Sequence, residues 1–255
     1  MSGASLPPVR TVETMDEAIV QMTALSDTLP EPDGLGAFNR MYLQVTQLVA
    51  ATVDGPTFFA EPDLLAHLDV VFANRYLGAL VATASGTAAP SCWDVLLRRR
   101  LDPAIHPLQF ALAGMNAHIN HDLVLSLVDL FTAYGRDPHD AVLHADFTRV
   151  NDLLARLEDH IRRSFMRSVP QRLEQKLGRL EGCLSRWSIA AARAAAWRDA
   201  AALWDVRRHQ RVSAALTREL DTAVAAAGRC LLVPLHHADQ TTRCPCPDQG
   251  PHLER

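Results

Sequence analysis

The sequence predicts an all-α fold: one bundle of about seven or eight helices around a single central apolar helix. Three observations carry this. Apolar residues recur at spacings of three and four along nearly the whole chain, while strict alternation is confined to short pieces such as Cys230 to Val233. Pro and Gly fall between the periodic runs rather than within them. And 255 residues at 48% hydrophobic and 21% charged are enough to bury one sizeable core.

The elements follow in order. Residues 1–10 are a flexible lead-in, 11–235 the helical domain, and 236–255 a flexible tail rich in Pro, Cys and His. Met15, Ile19, Met22 and Leu25 give a first amphipathic helix, ended near Pro30 and Pro32. Leu35, Phe38, Tyr42, Val45 and Leu48 give a second, running to Asp54-Gly55-Pro56. Pro62 suits the first turn of a third helix carrying Leu65, Leu68, Phe72, Tyr76 and Leu80. After a Gly86–Pro90 loop, Ser91-Cys-Trp-Asp94 has the form of a capping box with Asp in place of Glu. From Pro107 to Tyr134 the helix is apolar around most of its circumference, which marks it as central, and Gly135-Arg-Asp-Pro138 ends it. Phe147, Val150, Leu154, Leu157, Ile161 and Phe165 form the next helix, stopping before Pro170. A last long helical segment runs from about Leu184 to Ala227, where Trp187, Ala190, Ala194, Trp197, Ala201 and Trp204 predict a packing seam with Arg186, Arg193 and Arg198 on its solvated flank.

Composition excludes several classes. With 25 Lys+Arg against 29 Asp+Glu there is no basic excess, so nucleic acid is not the expected partner. The N-terminus lacks the apolar core of a signal peptide, and the apolar stretches break short of the ~18 residues of a membrane span. Five cysteines (Cys92, Cys183, Cys230, Cys244 and Cys246) are an odd, scattered set, which suits a reducing cytoplasm better than a disulfide framework. The C-x-C of the tail lacks metal-knuckle spacing. Nucleotide loops, the G-x-S-x-G elbow, H-E-x-x-H and the Glu-x-x-His pairs of di-iron bundles are all missing from the sequence.

The chemistry concentrates in the central helix, which carries Gln109, Asn116, His118, Asn120, His121 and Asp122. His118 and Asp122, four apart, share a helix face, and Asn116 and Asn120 form a second such pair. Burying these groups costs about 1–3 kcal/mol each unless they are paired, so they have partners or a use. Asp122 fixing the tautomer of His118 makes an acid–base pair. Asp69 interrupts an apolar stripe on the third helix and is a candidate to meet His118, while Asn39, Tyr42 and Asn74 offer further inward polar groups. His118, Asp122 and His121 are also a candidate ligand set for a divalent metal: zinc first, then iron or manganese.

The runs Phe38-Asn-Arg-Met-Tyr42, Leu68-Asp-Val-Val-Phe-Ala-Asn74, Ala113-Gly-Met-Asn-Ala-His-Ile-Asn120 with Asp122, and Asp146-Phe-Thr-Arg-Val-Asn151 resemble an actinobacterial all-helical family of unknown function, over roughly residues 10–235. The resemblance implies the fold class, a more variable position at His121 than at His118 and Asp122, and, by association with natural-product pathways, a tailoring or cyclising enzyme.

The expectation is therefore a small-molecule enzyme of lyase, cyclase or hydrolase type. His118, Asp122 and Asp69 are its catalytic candidates, and Asn116, Asn120, Tyr42, Asn74 and Gln109 contact a small apolar or amphipathic substrate. Self-association is left open. The competing expectation is a non-enzymatic scaffold or ligand carrier whose polar cluster is a satisfied network.

Overall fold

In the computed structural model, which describes residues 6–53, 58–167 and 188–234, the expected central helix is a rod from Pro107 to Tyr134. It comprises α5 (Pro107–Ala117), one π turn (His118–Asp122) and α6 (Leu123–Tyr134). Ala117, His118, Asp122 and Leu123 all keep right-handed helical backbone, so the hydrogen-bond register changes while the helix continues. Gly135 ends the rod at φ 59°, where only a residue without Cβ is comfortable.

Around the rod lie α1 (Met15–Thr28), α2 (Gly34–Val53), α3 (Pro62–Ala84), α4 (Ser91–Leu97), α7 (Ala141–Arg167), α8 (Ile189–Asp205) and α9 (Gln210–Leu231). Counting the rod once, these are eight helices, with no strand among the described residues. The all-α expectation holds. α2 crosses α5 closely because both helices use glycine at the crossing: a Cβ on Gly114 would stand 2.4 Å from the Phe38 ring, and one on Gly34 would stand 2.3 Å from Phe110. α9 lies over α4 and α5, α8 over α6 and α7, and α3 against α6 and the π turn. One hydrophobic core joins them all.

Several expectations change. Ser91 does not cap α4: Pro90 occupies the cap position, and Asp221 of α9 accepts the Ser91 and Cys92 backbone N–H groups at 2.9 Å each. The long last segment is two helices, because Val206 to His209 turn α9 back onto α4, with the Arg207 guanidinium 3.6 Å above the Trp204 ring. On α8 the buried face is Ile189, Arg193, Ala196, Trp197, Ala200 and Leu203, so the seam is rotated from the predicted one, and Arg193 belongs to the interior. α3 is long and apolar enough to cross a membrane on composition alone, but half of that stretch is buried inside the bundle, including Leu65, Leu68, Phe72, Tyr76 and Leu80. Of the lead-in, Leu6 and Val9 pack against the core. Trp187, Arg186, Cys183, Cys244, Cys246 and the tail 236–255 lie outside the described residues, as do the side chains of Leu157, Ile161 and Phe165.

Candidate functional site

The π turn builds the centre of the site. Leu123 N–H bonds to the His118 carbonyl five residues back, one residue more than an α turn. In this widened turn both imidazoles reach one carboxylate, at different oxygens. His118 Nδ1 is 3.1 Å from Asp122 Oδ2, and His121 Nδ1 is 2.8 Å from Oδ1. From α4, Trp93 donates its indole N–H to Oδ2 at 2.9 Å. All four side chains are interior: Trp93 is 0% exposed, Asp122 1%, His118 3% and His121 4%.

Protonation follows from this geometry. Burial works against the Asp122 charge, but the N–H groups of His118 and His121 prevail and hold its carboxyl below the ordinary carboxylate range. An ionised carboxylate only accepts, so both imidazoles carry their proton on Nδ1. Burial also pushes His118 below the usual imidazole value, against the hydrogen bond and charge of Asp122. At neutral pH His118 is thus a neutral imidazole with a bare Nε2 lone pair. That nitrogen is buried and has no hydrogen-bond partner.

The ring sits in an aromatic enclosure. Phe72 stacks on it at 3.6 Å and 7°, Tyr42 meets it edge-on at 4.2 Å, and Phe38, Trp93 and Tyr76 complete the walls at 5.7, 6.1 and 6.3 Å. The walls are themselves pinned. Tyr76 donates its hydroxyl to Asn39 Oδ1 at 3.1 Å, and Asn39 donates to Met22 O and Ser26 Oγ.

Asp69 does not bond to His118; Phe72, one turn further along α3, takes that face. Asp69 instead lies half-buried in the field of Arg193, and burial raises its carboxyl to about 6 against that attraction. Arg193 is pushed down to about 10 by burial, donates to Asn151 Oδ1 and Phe147 O, and lies 4.1 Å over the Phe147 ring. Tyr42 is raised by burial first and by the Asp69 charge second.

The remaining sequence candidates are placed elsewhere. Gln109 forms a capping box with His106 and donates to Leu231 O and Val233 O, fastening α5 to the end of α9. Asn74 exchanges two 2.8 Å bonds with the Val12 backbone. Asn116 donates to Val224 O of α9 and accepts from Asn120. All three use polar groups to tie segments of the chain together.

The expected ligand set of His118, Asp122 and His121 is not assembled around a common point, because both imidazoles turn Nδ1 to a carboxylate already filled by three N–H groups. A different cluster does converge: Cys92, His121 and Asp221 bring one ligand atom each to within 4.8 Å of one another. Sequence reasoning missed Trp93, Arg193 and Asp221. An indole on a seven-residue helix and an arginine among alanines are ordinary in sequence, and only the packing of α4, α8 and α9 gives them partners.

A family profile described as "Family of unknown function (DUF5995)" matches residues 15–234. No curated protein and no solved structure matches the chain.

Proposed function

We propose that this chain, which belongs to the DUF5995 family of unknown function, is a small-molecule enzyme that uses the His118–Asp122 pair for acid–base chemistry. The observation that carries the reading is the bare, buried His118 Nε2. Leaving such an acceptor without a partner costs about 1–3 kcal/mol, a cost that a purely structural histidine avoids by finding a donor. The nitrogen is oriented from behind by an ionised carboxylate, which stabilises the imidazolium formed when Nε2 takes a proton. The walls are Phe38, Tyr42, Phe72, Tyr76 and Trp93, so the complementary substrate is an apolar or amphipathic molecule that stacks on aromatic rings.

In this reading Nε2 removes a proton from the substrate or from water, in a lyase, cyclase or hydrolase reaction of the kind used in natural-product tailoring. Asp69, with its carboxyl near 6, serves as the partner that returns a proton, and Tyr42 orients a substrate oxygen. Asn116 and Asn120 support the π turn from the α9 side.

One observation favours the scaffold reading: Gln109, Asn74 and Asn116 are all engaged in tying segments together. Two measurements on His118→Ala separate the two. The chain is incubated with a small-molecule extract of its source cells, and consumed species are followed by mass spectrometry beside a thermal melt. The enzyme reading expects species consumed by the native chain and not by His118→Ala, with a melt close to native. No consumption by the native chain, together with a fall of many degrees in His118→Ala, leaves the network as scaffold.

A further inference from the structure

The groups on the other side of Asp122 are not used by this chemistry. His121 gives Nδ1–H to Asp122 Oδ1, which leaves its Nε2 as a lone pair. Cys92, in the first turn of α4, and Asp221, midway along α9, converge on the same place, with one ligand atom from each of the three residues within 4.8 Å of the others. We infer that Cys92, His121 and Asp221 form a binding site for a divalent transition metal, with zinc the ion that best fits the donor set.

Three features support the site. First, the donors are one thiol sulfur, one imidazole nitrogen and one carboxylate oxygen, a mixture that suits zinc rather than magnesium or calcium. Second, His121 already has the outer partner that metal-bound imidazoles require. Its Nδ1–H is held at 2.8 Å by a buried carboxylate, which fixes the ring and its tautomer. Third, Asp221 is held in place: its oxygens accept the backbone N–H groups of Ser91 and Cys92 at 2.9 Å each and the side-chain hydrogen bonds of the same two residues, so a metal would replace the Cys92 thiol proton between sulfur and carboxylate. Capping α4 explains the carboxylate, and the thiol bonds to it, but neither calls for the imidazole beside them.

Around tetrahedral zinc, ligand atoms stand about 3.5 Å apart, given Zn–S near 2.3 Å and Zn–N near 2.0 Å. Closing the cluster thus needs side-chain movements of about 1 Å, within rotation about the Cβ bonds. Cys92 and His121 are buried and Asp221 is half-exposed, so an ion enters past α9, and three protein ligands leave a fourth position for water. This is not the His118, Asp122 and His121 set expected from the sequence. His121 and the metal are common to both, but Asp122 serves here as the carboxylate behind the imidazole.

The test is a titration of the full chain, stripped with chelator, with cobalt(II) and then zinc. About one cobalt per chain is expected, with a thiolate-to-cobalt charge-transfer band and the intense visible bands of tetrahedral geometry, all displaced by zinc. Cys92→Ser abolishes the charge-transfer band, and Asp221→Asn, which keeps a carbonyl oxygen to cap α4, weakens zinc about tenfold or more. Circular dichroism confirms that each variant is folded. The tail is controlled by a Cys244→Ser/Cys246→Ser double variant, in which the band persists. Uptake below about 0.1 metal per chain, or a band that survives Cys92→Ser and vanishes in the tail variant, overturns the site.

Discussion

Asp122→Asn is the substitution that probes the centre most directly. Asp122 accepts three N–H groups, from Trp93, His118 and His121. Hydrogen bonds to a charged acceptor contribute about 1.5–3 kcal/mol and neutral ones about 0.5–1.5, so neutralising the acceptor weakens each by roughly 1 kcal/mol. The amide also places an NH2 where one oxygen stood. Trp93 cannot change its donor, and it shares Oδ2 with His118, so the amide oxygen takes the Oδ2 position. The NH2 then faces His121, which must move its proton to Nε2. The summed loss is about 3 kcal/mol, a fall in Tm of roughly 6–12 °C for a chain of this size. Asp122→Ala instead orphans three buried donors at about 1–3 kcal/mol each, comparable with a total stability of about 5–15 kcal/mol, and that variant does not fold stably. Thermal melts give the first quantity, and long-range nitrogen–proton correlation spectra of the imidazoles give the tautomers. An Asp122→Asn melt within about 2 °C of native, or a His118 that carries its proton on Nε2, refutes the reasoning.

Three further outcomes are expected. Because the folded-state pKa of His118 is depressed, the unfolded chain binds more protons below the free imidazole value of about 6.5, so stability falls as pH drops through that value. His106 is depressed by burial and acts in the same direction; urea midpoints from about pH 7.5 to about 5 should decline, and less steeply in His118→Phe, so an unchanged slope would show that His118 is not depressed. Asp69 has the opposite sign: its carboxyl, raised to about 6, favours the protonated form, so Asp69→Asn stabilises by about 2 kcal/mol above pH 7, and the gain disappears below about pH 4; an equal gain at both ends of that range would contradict the assignment. Gly114→Ala drives a Cβ to 2.4 Å from Phe38, which also walls His118, so it costs about 2–3 kcal/mol and alters the His118 resonances, whereas a neutral effect on the melt would mean that α2 can yield at the crossing.

Much of the fold is legible in the sequence because helix signals are local. The apolar stripe of α3, Pro62 at its start and Gly135 after the rod each act within a turn or two. The break between α8 and α9 was not legible. Asp205 to Gln210 contains no Pro or Gly, and the turn is set by what α9 packs against. The His118–Asp122 pair was legible from spacing, but the phase of the helix was not, since nothing in His118-Ile-Asn-His-Asp122 marks a π turn. An ideal α-helix points His121 about 60° away from His118, and the shared carboxylate follows only from the extra residue. Gln109 and Asn74 show a different limit. A polar side chain on an apolar face has the same appearance in sequence whether it meets a ligand or another segment's backbone.

The π turn also makes the rod a shaft with a phase offset. Each half keeps its own 3.6-residue rhythm, with α5 buried around most of its circumference and α6 burying Leu123, Leu127, Leu130 and Phe131, and the π turn takes up the one residue by which their numbering is out of step. Chain length across 118–122 therefore behaves as a quantised setting. Removing one residue there returns the turn to α geometry and leaves α6 close to its present phase, because the π turn already absorbs the extra residue. The fully buried Leu127 and Leu130 would stay on the core side, while the widened turn that lets His118 and His121 share the Asp122 carboxylate would be gone. For this chain a one-residue deletion at the π turn is a lesion of the site that the fold can absorb, and the extra residue is carried for the carboxylate arrangement and not for the packing of α6.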